Sequence, residues 1–257
     1  MSAYAILGAT GNTGLSILQL LTKDPDKRIH VLARSKTKLE KLFPGALSNP
    51  NLHIFEGSIS DIKVLQACLK GSKAAFLTVA VSANIPGCSI AQDTATSVIE
   101  ALQGLREQDK TLKPPRLVVL SSAAMDDKFW VDTPAFIHQI LGKASSYIYA
   151  DLGVAESILR KEEDWLSSVF VMPGGIVHDE QKGHELSVTK QQTFVSFLDV
   201  AAGMIECADE EGERWDGAHV SIVLANGAKA RILWSVPIYM IRGMLCHFFP
   251  WSYPYIG

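Results

Sequence analysis

Three glycines at fixed spacing, Gly8-Ala-Thr-Gly11-Asn-Thr-Gly14, are the residues in this chain whose chemistry is easiest to read. They follow the apolar run Tyr4-Ala-Ile-Leu7 and precede an apolar stripe at Leu15, Leu18 and Leu21. Glycine spacing alone recurs by chance, but a strand before it and a helix after it give it a physical purpose. Gly8 permits a tight turn, Gly11 lets the backbone approach a pyrophosphate, and Gly14 lets the helix pack closely on the strand. Thr10, Asn12 and Thr13 complete a loop whose N–H groups and helix dipole suit a phosphate. The chemistry implied is dinucleotide binding.

The next informative residue is Arg34, which ends the second apolar run Ile29-His-Val-Leu-Ala33 and is followed by Ser35, Lys36 and Lys38. An acidic residue at that place would hold a free ribose 2′-OH. A guanidinium instead suits a 2′-phosphate, so NADP(H) is favoured over NAD(H). A histidine, His178, follows the sixth apolar run in Pro173-Gly-Gly-Ile-Val-His178-Asp179. Ligands of open α/β sheets bind beyond the carboxyl ends of the strands, so His178 is a candidate acid or base near neutral pH. With Asp179 and His184 it also raises a metal reading, but no short fixed spacing on a rigid element supports one, and no metal is expected.

The elements that must position these residues alternate. Strand-like runs at 4–7, 29–33, 52–55, 74–79, 117–120 and 168–172 are separated by helical patterns. Ser35 and Ser60 are candidate helix caps, and a long helix spans about Ile90 to Leu105. That order predicts a doubly wound parallel sheet of Rossmann type with right-handed crossovers. The alternation weakens after Pro173, where a Gly/His-rich loop, a helix near Phe197–Ala208, a strand near Val220–Leu224 and an apolar tail remain. The expectation is one domain over residues 1–257, with a small substrate-facing lobe from about residue 174.

Composition sets the outer limits. A chain of 257 residues with 47% hydrophobic and 20% charged residues can bury a core, and a net charge of −3 gives no pull towards nucleic acid. Cys68, Cys88, Cys207 and Cys246 are scattered without CxxC spacing, which reads as reduced thiols. The start MSAYAILGATG lacks the features of a secretion signal, so a cytosolic location is expected.

Taken together, GATGNTG, VLARSKTK, EGSISD, LVVLSSAA, VMPGGI and the later FLDVAAGMIE resemble the atypical short-chain dehydrogenases of the NmrA-like type. The resemblance spans nearly the whole chain and is closest to the averufin-oxidase-like proteins of fungal aromatic polyketide pathways. It implies an NAD(P)-dependent oxidoreductase acting on anthraquinone- or xanthone-type intermediates, with Pro173 bordering the nicotinamide. It also implies a Ser followed by Tyr-x-x-x-Lys, in which the lysine ammonium lowers the tyrosine pKa. Ser122 fits the first position. Tyr147, however, is followed four residues on by Asp151, Tyr149 by Gly153, and Lys143 lies upstream. The dyad is absent. Tyr149 is left to orient a phenolic substrate. At Gly57-Ser-Ile-Ser-Asp61, Ser58 stands where related proteins carry Asp for the adenine amine, and Ile59 is expected to pack on the ring.

The segment Ile232–Phe249 is apolar enough to suggest a membrane span, but Arg242, Pro237 and His247 argue against one. Leu233, Val236, Met240, Ile241, Met244, Leu245 and Phe248 fall on one helical face, with Ser235, Arg242, Cys246 and His247 opposite. The expectation is an amphipathic helix covering the substrate pocket. Contact with a membrane surface through the tail FFPWSYPYIG, or with a second copy of the chain, are the other readings.

Three functions remain, in this order: an NADP(H)-dependent oxidoreductase on a small phenolic or quinone substrate, a redox-neutral isomerase, cyclase or dehydratase, and a non-catalytic dinucleotide sensor. The candidate catalytic residues are Ser122, His178 and Tyr149.

Overall fold

The computed structural model describes residues 2–131, 134–231 and 235–256. Its main sheet has eight strands in the order β3-β2-β1-β4-β5-β6-β10-β8. These are β1 (Ala3–Leu7), β2 (Arg28–Ala33), β3 (Leu52–Glu56), β4 (Ser72–Leu77), β5 (Arg116–Leu120), β6 (Ser168–Val171), β8 (His184–Ser187) and β10 (His219–Leu224). Neighbours pair in parallel, except that β8 runs antiparallel to β10. A separate parallel pair joins β7 (Gly175–Val177) to β9 (Phe194–Ser196).

Helices cover both faces, and residue alternation along the strands decides which face each side chain joins. Tyr4 and Ile6 of β1 bury on one side with α1 (Asn12–Leu21), α2 (Lys36–Leu42) and α7 (Phe197–Asp209). Ala5 and Leu7 bury on the other with α3 (Ile62–Leu69), α4 (Ile90–Gln108) and α6 (Ser146–Arg160). A two-sided core of this kind is what the near-continuous apolar strands require. Two further helices, α5 (Ala135–Ala144) and α8 (Val236–Phe248), pack on each other outside these layers, and α9 (Tyr253–Ile256) ends the chain.

The strand order turns at β1. From there β2 and β3 lie to one side and β4, β5 and β6 to the other. Leu7 pairs with Leu32 and with Leu77, so the loops after β1, β2 and β4 leave the sheet along one edge. A ligand crevice is expected beside such a reversal.

Two details differ from the sequence reading. The cap of α3 is Asp61, whose carboxylate accepts from the Val64 N–H at 3.4 Å, while Ser60 turns to Ser58 with oxygens 2.6 Å apart. Of the segment read as a lobe, β8, β10 and α7 are built into the main sheet and its core; β7, β9 and α8 stand outside the sheet.

Candidate functional site

The glycine loop folds as its spacing demands. Gly8 adopts φ +97° and its Cα faces Thr78, where a Cβ would meet backbone and hydroxyl atoms at 2.8–2.9 Å. A Cβ on Gly14 would lie 2.3 Å from the Gly8 carbonyl oxygen, so only glycine lets α1 close onto the turn. Gly11 is the N-cap of α1, with no side chain capping it and no acid in the first turn. Its unfilled N–H donors and positive dipole end suit a phosphate.

Beside this turn lies a cavity of about 520 Å³, lined by Gly8, Thr10 and Gly11 at one part and by Arg34, Ser58 and Ile59 at another. Asn12, Thr13 and Gly14 form the first turn of α1 beneath it. Arg34 is exposed and makes no ion pair among the described residues. The start of α2 is fixed next to it by Ser35, which accepts from the Lys38 N–H, and by Glu56, which accepts from the Lys36 N–H at 3.0 Å. Thr78 and Val79–Val81 complete the wall after β4. The sequence marked Thr78 and Val79 only as the end of an apolar run, because their role in the cavity follows from β4 pairing beside β1.

The Ser122 and Pro173 loops meet. The Ala123 N–H donates to the Pro173 carbonyl at 2.9 Å, and half-buried Ser122 accepts from the Ala124 N–H at 3.3 Å. Tyr149 is half-buried on α6. His178 is exposed, with its ring 4.7 Å from that of Phe197. Neither lines the cavity. His178, Asp179 and His184 each have a separate partner: Phe197, Lys182 and Glu206 respectively. Among the described residues no group of three His, Cys, Asp or Glu is placed to hold a metal.

Asp151, four residues after Tyr147, is buried. Its carboxylate accepts from the backbone N–H groups of Ala91 and Gln92 at 2.9 and 3.0 Å, and from the Gln92 amide. It therefore caps α4 from the side of α6. Burial and the charge of Asp151 together raise the pKa of the Cys88 thiol, and burial pushes Cys68 and Cys207 up to about 12, so none of these is a ready nucleophile.

A second cavity of about 240 Å³ lies between Ser82–Asn84, the α5–α6 junction and α8. Leu141, Ile148 and Met240 give it an apolar lining, with Tyr239, Arg242 and Tyr253 as its polar groups. Buried Asn84 ties the three parts together, donating to the Gly243 carbonyl at 3.1 Å and accepting from the Tyr147 N–H at 2.9 Å.

Helix α8 lines the second cavity with Met240 and Arg242 and docks through its small residues. Gly243 and Cys246 are buried against Ala144, and His247 reaches Ser146 at 2.8 Å, while Ile241, Leu245 and Phe248 point outward. The reason is steric: a Cβ at Gly243 would sit 2.0 Å from the Ala144 carbonyl, so the small-residue face allows the closest approach. Leu233, placed on the same apolar face in the sequence, lies outside the described residues. No helix among the described residues is long and apolar enough to cross a membrane.

Away from both cavities, His219 is held between two carboxylates. Its Nδ1 lies 2.6 Å from Asp126 and its Nε2 2.6 Å from Glu156, which Arg160 also pairs at 2.7 Å. The hydrogen bond to Glu156 is the largest cause raising the pKa of His219, opposed by burial and assisted by Asp126.

A glycine turn at a sheet reversal, an uncapped helix N-terminus and a free arginine beyond the second strand define a dinucleotide-binding Rossmann domain. The comparisons agree. A family model described as NAD(P)H-binding matches residues 8–211. A short-chain dehydrogenase/reductase from Veillonella parvula solved in complex with NADP superposes with a TM-score of 0.68 at 18% identity, covering 88% of this chain and 95% of that one. Oxidoreductase stcQ of Emericella nidulans is 45% identical over all of this chain and 95% of its own length. Oxidoreductase aflX of Aspergillus parasiticus is 45% identical over all of this chain and 96% of its own. The chain belongs to this NAD(P)H-binding family, and its fungal relatives are named as oxidoreductases.

Proposed function

We propose that the chain is an NADP(H)-dependent oxidoreductase acting on a small phenolic or quinone polyketide intermediate. The observation that carries this reading is the cavity that runs from the glycine turn to an unpaired Arg34. Its shape and donors fit a dinucleotide with a 2′-phosphate, which the guanidinium binds as a charge-assisted pair. NADP(H), when bound, supplies hydride transfer at the nicotinamide ring. The names of the fungal relatives support an oxidoreductase.

The cavity under α8 supports the substrate half of the reading. The loop after β4 lines both spaces, Val79–Val81 the cofactor cavity and Ser82–Asn84 the second. Its apolar walls suit a planar ring system, and Tyr239, Arg242 and Tyr253 offer partners for phenol or quinone oxygens. Asp151 occupies the lysine position as a helix cap, so proton transfer has to come from elsewhere. In this reading the substrate's own phenol relays the proton, and Ser122, Tyr149 and His178 are the protein groups to substitute in turn.

The test is anaerobic mixing of NADPH with a panel of hydroxyanthraquinones, followed by NADPH absorbance. Oxidation in step with quinone reduction is expected. Binding of NADPH without turnover of any member would contradict this reading and favour the redox-neutral or sensor alternatives, which the displaced lysine also motivates.

A further inference from the structure

Ten of the fifteen exposed large apolar side chains among the described residues lie on α5, on α8 and in the chain after α8. Phe136, Ile241, Leu245, Phe248, Trp251 and Tyr255 dominate this surface, with Trp251 72% and Tyr255 82% exposed. A patch of this concentration marks an interaction site. Helices α5 and α8 and the chain after α8 contain no Asp or Glu of their own, and exposed Asp127 stands 3.8 Å from His138 of α5. The exposed cations Lys143 and Arg242 make no ion pair among the described residues, and the Lys143 ammonium lies over the Phe248 ring at 5.6 Å.

We propose that this face docks on an anionic lipid bilayer surface, with α8 lying in the interface plane. Trp and Tyr favour the boundary between water and hydrocarbon, and Phe, Ile and Leu between them bury shallowly in it. Lys143 and Arg242 meet lipid phosphates and carboxylates there. A symmetric contact with a second copy is the weaker fit, because it sets these cations against their own equivalents and α5, α8 and the tail of either copy carry no acid to pair them. It would also close over Tyr239 and Arg242, which are exposed and line the cavity beneath α8. On a bilayer, that cavity faces the phase into which an apolar ring system partitions.

The experiment is flotation of the purified chain with vesicles of phosphatidylcholine alone and of phosphatidylcholine mixed with phosphatidylserine, at low and high salt. The expected result is binding to the anionic vesicles only, reversed by salt. Lys143→Glu with Arg242→Glu should weaken it roughly tenfold or more. Ile241→Ser with Phe248→Ser and Trp251→Ser should abolish it, and thermal melting checks that both variants are folded. The charge-reversal variant leaves the apolar face intact, so it remains decisive if the serine variant unfolds. No binding to anionic vesicles, or binding indifferent to lipid charge, overturns the proposal. So does a concentration-dependent dimer in sedimentation that the serine variant dissolves, which would assign the face to a second copy. None of these readouts requires turnover, so failure here leaves the cofactor reading intact.

Discussion

At the scale of single residues, Asp151 shows how a side chain on one helix can be required by the start of another. Its carboxylate receives two backbone N–H groups at the start of α4 and is almost wholly buried. A lysine there would place a cation against a helix N-terminus and leave those donors unpaired. Asp151→Lys, which restores the Tyr-x-x-x-Lys spacing with Tyr147, should cost about 3–5 kcal/mol in urea denaturation. It should not create dehydrogenase activity. A folded and more active variant would show that the position is free for catalysis. The sequence places an aspartate at 151 but not its partners, which lie about sixty residues away.

At the scale of elements, helix α8 separates pattern from packing. Its apolar residues fall on one face in the sequence, yet the face that docks is the one holding Gly243 and Cys246. Backbone approach, not hydrophobicity, decides the contact, and that is invisible until Ala144 is seen opposite. Helix α5 was equally hard to read, since Phe136 and Ile140 are exposed and only Ala144 of the helix is buried. The short strands β7, β8 and β9 show no usable alternation and exist because distant partners pair with them. The glycine turn, by contrast, was legible because its constraints are local, and Ser35 caps α2 as its type and position suggest. Gly243→Leu should lift α8 from Ala144 and raise KM for a bound aromatic substrate about tenfold, which corresponds to about 1.4 kcal/mol. Dinucleotide affinity should be unchanged, since α8 lines only the second cavity. An equal loss of both would mean that α8 supports the whole sheet.

At the scale of the molecule, the parallel sheet with helices on both faces followed from the alternation of strand and helix patterns, whereas the strand order and the His219 cluster came only from folding. Residues 126, 156 and 219 stand on three separate elements, joined by hydrogen bonds of 2.6 Å. Because the folded state raises the pKa of His219, its contribution is complete below the unfolded value near 6.5 and fades as pH rises through the folded value. Burial raises the pKa of Asp126 and Glu156, but the hydrogen bonds to His219, joined by Lys128 at Asp126 and Arg160 at Glu156, together bring both below their ordinary values. Their contribution is present above the unfolded carboxylate range and lost as pH falls through the folded values. Stability measured by urea midpoint should therefore be greatest in mildly acid buffer, between about pH 5 and 6.5, and His219→Ala should flatten that maximum. A profile unaltered by the substitution would remove the cluster from the account. The claim on which most else depends is that the 520 Å³ cavity binds NADP(H) through Arg34. Calorimetric titration with NADPH and NADH, on the natural chain and on Arg34→Ala, tests it directly. NADPH should bind more tightly than NADH, and the substitution should cost NADPH about 1–3 kcal/mol while leaving NADH nearly unchanged. Equal affinity for both dinucleotides in both proteins would contradict the 2′-phosphate assignment, and no binding of either would contradict the oxidoreductase itself.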